Sequence, residues 1–195
     1  ALQIHTLQCS SAMPEQSAAG LEDLRRRIVD NRVVVVAGAG VALAATNGLP
    51  TAGWRGLLRH GVDWCVREGL TFPGRDGELR VRADLNADDL LSAADKLVRT
   101  LGHGPDWRRW LGDVFRDFPL EDPAPLEAIL NLKQPIATTN YDDLFERWSG
   151  LPACTWLDFP NMQEALQART GIAHLHGYWR EPESVVLGML SYGAV

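Results

Sequence analysis

Val33-Val34-Val35-Val36-Ala37-Gly38-Ala39-Gly40 is the stretch from which the rest of the chain can be read. Side chains branched at Cβ suit a pleated surface better than a helix, so four valines in succession predict a strand. No polar residue alternates with them. A strand apolar on both sides is usually central in a parallel sheet and covered by helices on both faces. The Gly-Ala-Gly turn stops the strand and leads into a helix, the opening move of an α/β fold.

Upstream, Leu21, Leu24, Ile28 and Val29 fall at helical spacing, with Arg25-Arg26-Arg27 as a solvated face. Residues 1–18 are Ser- and Ala-rich without period and read as a flexible tail, leaving 19–195 as the domain. Downstream, Trp54, Leu57, Leu58, Val62, Cys65 and Val66 mark a helix. Residues 71–84 mix Pro, Gly and alternating charges and read as a loop. Helices are predicted over 88–101, 106–118 and 124–132, each opening near Asp or Pro, and together they form a helical insertion at about 86–133. Sheet signals resume at 135–139, followed by a helix at 141–148 and strand candidates at 172–177 and 185–187. The fold class expected is α/β, a Rossmann-like doubly wound parallel sheet with a helical insertion.

Composition narrows the function classes. The chain has 195 residues, 46% apolar and 23% charged, the balance of a globular domain of ordinary size. Its net charge of −6 argues against broad binding to nucleic acid or membrane surfaces. No apolar run reaches the length of a membrane span, and the start lacks the pattern of a secretory signal. Cys9, Cys65 and Cys154 are scattered and odd in number, with no CxxC pair, so a reduced, cytoplasmic protein without a cysteine zinc site is expected. Of the seven tryptophans, Trp107 and Trp110 lie three apart on one predicted helix and read as core.

Chemistry could sit in three places. Gly38-Ala39-Gly40 lets the backbone approach a phosphate at a helix start, or simply makes a tight turn with close helix packing. Thr138-Thr139-Asn140-Tyr141-Asp142-Asp143 follows a strand, where ligands bind in open α/β sheets. Asn140 and Asp142 could hold a sugar hydroxyl or a water there, or cap the next helix. In His174-Leu175-His176-Gly177, strand alternation puts both imidazoles on one face with Ala173 and Leu175 packed inward. One of them could be a general base beside a glycine that leaves room for substrate, or a structural histidine. No third ligand stands at suggestive spacing, so no metal is expected.

Taken in order, Gly38-Ala39-Gly40, Gly48-Leu49-Pro50, Asn140-Tyr141-Asp142 and His176-Gly177 resemble the motifs of the sirtuin-like family. The details Thr138-Thr139, His174-Leu175, Trp54-Arg55-Gly56-Leu57-Leu58 and Pro182-Glu183-Ser184-Val185-Val186-Leu187-Gly188 look more like its NAD-hydrolase branch than its protein deacylases. That branch commonly supplies N-terminal effector domains of larger defence or innate-immunity proteins. The resemblance spans about residues 21–192. It departs from the family in three ways. The two cysteine pairs of the deacylase zinc module are absent, Ala42 stands where a Ser is usual near the phosphates, and the chain stops soon after Tyr192, which suggests C-terminal truncation.

The resemblance implies an NAD⁺ glycohydrolase that cleaves the nicotinamide–ribose bond, with NAD⁺ as substrate and no metal. His176 would act as base, Asn140 would orient the attacking water or ribose hydroxyl, and Asp142 would hold the nicotinamide end or the hydroxyl network. Gly38, Ala39 and Gly40 would cradle the pyrophosphate, and Val41, Pro50, Thr139 and Gly177 would complete the NAD-binding set. Further domains of a longer polypeptide and a homo-oligomer are the partners expected. A catalytically silent domain that binds NAD or ADP-ribose, or serves only in assembly, is the main alternative. A deacylase or ADP-ribosyl transferase is the lesser one.

Overall fold

The computed structural model describes residues 15–189. Cys9, most of the predicted tail and the C-terminal residues around Tyr192 lie outside them. The chain divides into two compact units, Ala1–Val33 and Val34–Val195.

In the first unit, α1 spans Glu15–Val29. The helix therefore begins inside the stretch expected to be a tail, where Glu, Gln and Ala favour helix despite the lack of apolar period. Arg25 and Arg26 are exposed and reach back to Glu22 and Asp23. Arg27 pairs with Asp23 one turn away.

The second unit is built on four parallel strands: β1 Val35–Ala37, β2 Ile136–Thr138, β3 Ala153–Thr155 and β4 Ile172–His174, in the order β1-β2-β4-β3. Register places Val36, Ala137, Ala173 and Cys154 in one row across the sheet. Period-2 alternation then gives each face its own core. Ile136 and Ile172 join the larger one, with α2 Ala39–Ala45, α3 Trp54–Arg67, α4 Gly77–Asn86, α5 Leu90–Leu101, α6 Pro105–Phe115, α7 Ala124–Leu130 and α8 Leu144–Ser149. Ala137, Ala173 and Cys154 meet Met162 and Ala165 of α9, Phe159–Ala168, on the other face. A parallel sheet with helices on both faces is compatible with a Rossmann-like arrangement.

Four expectations need correction. β1 lies at the edge of this sheet, and Val34 and Val36 are more than half exposed, because α9 packs chiefly on β3 and β4. Residues 77–86, read as loop, are helical: Val81 and Leu85 stack one turn apart toward the core, and Glu78 bonds Arg82 on the outside. The 185–187 segment is no strand. It follows a single 3-10 turn, Pro182–Ser184, and is tied through the Val186 N–H to the His176 carbonyl at 2.8 Å. The sequence reading also missed β3 and α9, whose apolar runs are too short to show a period.

Between β1 and β2, α2 is followed by a block of helices that runs from residue 54 to 130, longer than the stretch expected at 86–133. Trp64, Trp107 and Trp110 are fully buried in it, and each indole N–H has an acceptor: Asp113 at 2.8 Å, the Pro182 carbonyl at 3.0 Å and His60 at 3.3 Å. Satisfied N–H groups are what allow so much ring surface to be buried. Cys65 and Cys154 are buried and free, and burial pushes the Cys65 thiol up to about 12.

Candidate functional site

The C-terminal ends of β1, β2 and β4 converge on one cavity of about 340 Å³. Ala39 enters it from the turn after β1, Thr139, Asn140 and Asp142 from the segment after β2, and His176 from the segment after β4. Parallel strands all point their carboxyl ends to the same edge, so residues about a hundred positions apart meet there. The opposite wall is apolar, from Trp54 and Leu57 of α3, Leu91 of α5, Phe115 of α6 and Val186. Among the described residues, no Lys or Arg lines it.

Asn140 is the junction of the site. Its backbone N–H donates to Thr138 Oγ1 at 3.0 Å, and its Nδ2 donates to the Gly38 carbonyl at 3.2 Å. This second bond crosses from β2 to the glycine turn, so Asn140 does not cap α8. Its Oδ1 and second Nδ2 hydrogen are what the carboxamide keeps for a ligand.

Asp142 combines both roles considered for it. One carboxylate oxygen accepts from the Leu144 N–H at 3.1 Å, a local turn at the start of α8, and the residue also lines the cavity. Burial pushes its carboxyl up to about 6, against the opposing pull of the Leu144 N–H and of His174.

The two histidines part company. β4 ends at His174, so strand alternation does not carry on to His176, and Leu175 is exposed where it was expected to pack inward. His174 is fully buried, with Nε2 2.7 Å from Glu146 Oε1 and Nδ1 3.0 Å from the Asn140 carbonyl. His176 lines the cavity half-buried, and burial lowers its pKa, which keeps the imidazole neutral and able to take a proton.

Other expected residues sit elsewhere. Gly177 is buried with φ +93°, and a Cβ there would stand 2.1 Å from the Ser184 carbonyl oxygen. Its missing side chain makes room for the returning 184–187 segment, not for a substrate. Val41 packs against the larger core and Pro50 is exposed; neither lines the cavity, although Thr51, Ala52 and Gly53 beside Pro50 do. Gly38 precedes α2 and Gly40 lies in its first turn; neither lines the cavity, and no side chain caps the start of the helix. Ala42 is fully buried in the core and does not line the cavity.

Leu91 and Phe115 were missed as site residues because their apolar spacing is that of ordinary core, and only the packing of α5 and α6 brings them to the sheet. Among the described residues, no cluster of three potential metal ligands occurs and no helix is long and apolar enough to cross a membrane. No protein-family model matches the chain.

Proposed function

We propose that this chain is an NAD⁺ glycohydrolase domain of the sirtuin-like kind, acting as an effector within a longer polypeptide. The observation that carries the reading is the meeting of Ala39, Thr139, Asn140, Asp142 and His176 around one cavity. The helical block at 54–130 would take the place of the family's small helical module, and a second copy would regulate the site.

The bond from ribose C1′ to nicotinamide is weakened by the positive charge on the pyridinium. Its cleavage needs an oxocarbenium-like state to be stabilised and a nucleophile to be placed. A neutral His176 would take the proton of the water or ribose hydroxyl, and the Asn140 carboxamide would orient that oxygen. Asp142, its carboxyl pushed up to about 6 by burial, would hydrogen-bond the nicotinamide end or the hydroxyl network. The apolar wall would keep bulk water away and leave the placed nucleophile at the glycosidic bond. With no Lys or Arg on the cavity wall, the pyrophosphate would rest on backbone N–H groups of the Gly38-Ala39-Gly40 turn.

The test is nicotinamide release from NAD⁺ by this chain and by a longer native polypeptide. Removing a well-placed base costs about 10²–10⁴-fold, so His176→Ala and Asn140→Ala should each abolish measurable release. Release unaffected by either substitution sinks the assignment. No release from either protein, with NAD⁺ still bound, would favour a silent binding domain.

A further inference from the structure

Glu146 has a side chain only 11% exposed, with one oxygen on His174 and the other without a hydrogen-bond partner among the described residues. A carboxylate this buried is costly unless its one contact matters. That contact is with a fully buried imidazole, 2.7 Å away, whose other nitrogen lies 3.0 Å from the Asn140 carbonyl.

A carbonyl can only accept, so Nδ1 carries a hydrogen. Nε2 faces a carboxyl oxygen, so a second proton lies between that pair, on either atom. Imidazolium facing carboxylate and imidazole facing carboxylic acid hold the same geometry. Asn140 is thus gripped at three points: its N–H by Thr138, its carbonyl by His174 and its carboxamide by Gly38.

We propose that Glu146 and His174 are positioning residues that fix the Asn140 peptide so that its carboxamide meets the substrate in the cavity. The role rests on the NAD⁺ reading above. Neither residue lines that cavity; both act through Asn140.

Nicotinamide release and amide hydrogen exchange at Asn140, measured on the same full-length proteins, test it. Glu146→Leu and His174→Phe remove the bonds and should lower kcat by about 10²-fold, the effect of misplacing a reacting group by about 1 Å, with little change in KM. Glu146→Gln can donate to Nε2 of a neutral imidazole, and His174→Asn sets an N–H where Nδ1 stood; both should recover most of the rate. Exchange at Asn140 should be faster in the first pair and restored in the second.

A kcat unchanged in Glu146→Leu overturns the proposal, as does a loss equally deep in Glu146→Gln, which would assign the effect to charge. If Glu146→Leu does not fold, Glu146→Asp decides: it keeps the charge but shortens the reach, and full activity there overturns the proposal. If neither the unmodified chain nor the longer polypeptide releases nicotinamide, the NAD⁺ reading fails separately, and unchanged exchange across the variants would then sink the positioning role on its own.

Discussion

Asp142 shows what burial does to one charge. Its carboxyl rises from 3.8 to about 6 because it has left water, with desolvation outweighing the Leu144 N–H and the nearby imidazole. The folded protein therefore binds more protons than the unfolded chain between those values. Stability falls as pH rises through that window, and the burden is fully present above it. Asp142→Asn keeps an acceptor for the Leu144 N–H without the charge. Relative to the unmodified protein it should gain up to about 3 kcal/mol above about pH 6 and almost nothing below about pH 4. Urea unfolding across that range would check it, and a gap that fails to widen with pH refutes it. A residue held at such a cost in the wall of the cavity fits a site kept for chemistry more than for stability. Asp142 was readable from sequence as a candidate, but its raised pKa was not, since burial is set by the folded structure and not by neighbours in sequence.

Among the elements, α3 and the 3-10 turn Pro50–Ala52 depend on one missing side chain. A Cβ on Gly56 would stand 1.9 Å from the Pro50 carbonyl oxygen, whereas one on Gly104 would meet nothing within 4 Å. Gly56→Ala should therefore cost about 1–3 kcal/mol in overpacking and push away the turn that carries Thr51 and Ala52 into the cavity. Melting temperature and NAD⁺ affinity should both fall, with Gly104→Ala as the control that changes affinity little. Equal affinities in the two variants would show that the turn does not shape the site. The 176–188 segment is anchored differently, by side-chain donors from distant elements. Tyr141 bonds the Val186 carbonyl at 2.8 Å, Trp156 the Ser184 carbonyl at 2.7 Å and Trp107 the Pro182 carbonyl at 3.0 Å. No local pattern announces such anchors, which is why Val185-Val186-Leu187 reads as a strand in isolation. Their apolar character was visible; the hydrogen bonds that hold them outside the sheet were not.

For the molecule as a whole, occupancy of the cavity is a matter of mass action. A ligand present at about a hundred times its Kd should stabilise the folded state by about 2.7 kcal/mol, read as a rise in melting temperature. If the proposal holds, NAD⁺ and ADP-ribose should both give the shift and nicotinamide alone a smaller one, because the first two share the pyrophosphate and ribose groups. No shift with either dinucleotide fragment at millimolar concentration would remove NAD⁺ from the proposal. The sequence by itself determined the α/β class, the parallel sheet and three of the segments at the site, because a valine run, a glycine turn and an Asn-Tyr-Asp after a strand act over a few residues. Local chemistry of that kind is written in order along the chain. Only the tertiary structure decided that β1 stands at the sheet edge, that His174 turns away to Glu146 while His176 faces the cavity, and that Gly177 accommodates backbone. Those outcomes depend on where a strand ends and on which distant element fills the space beside it, a balance of packing among residues far apart in sequence.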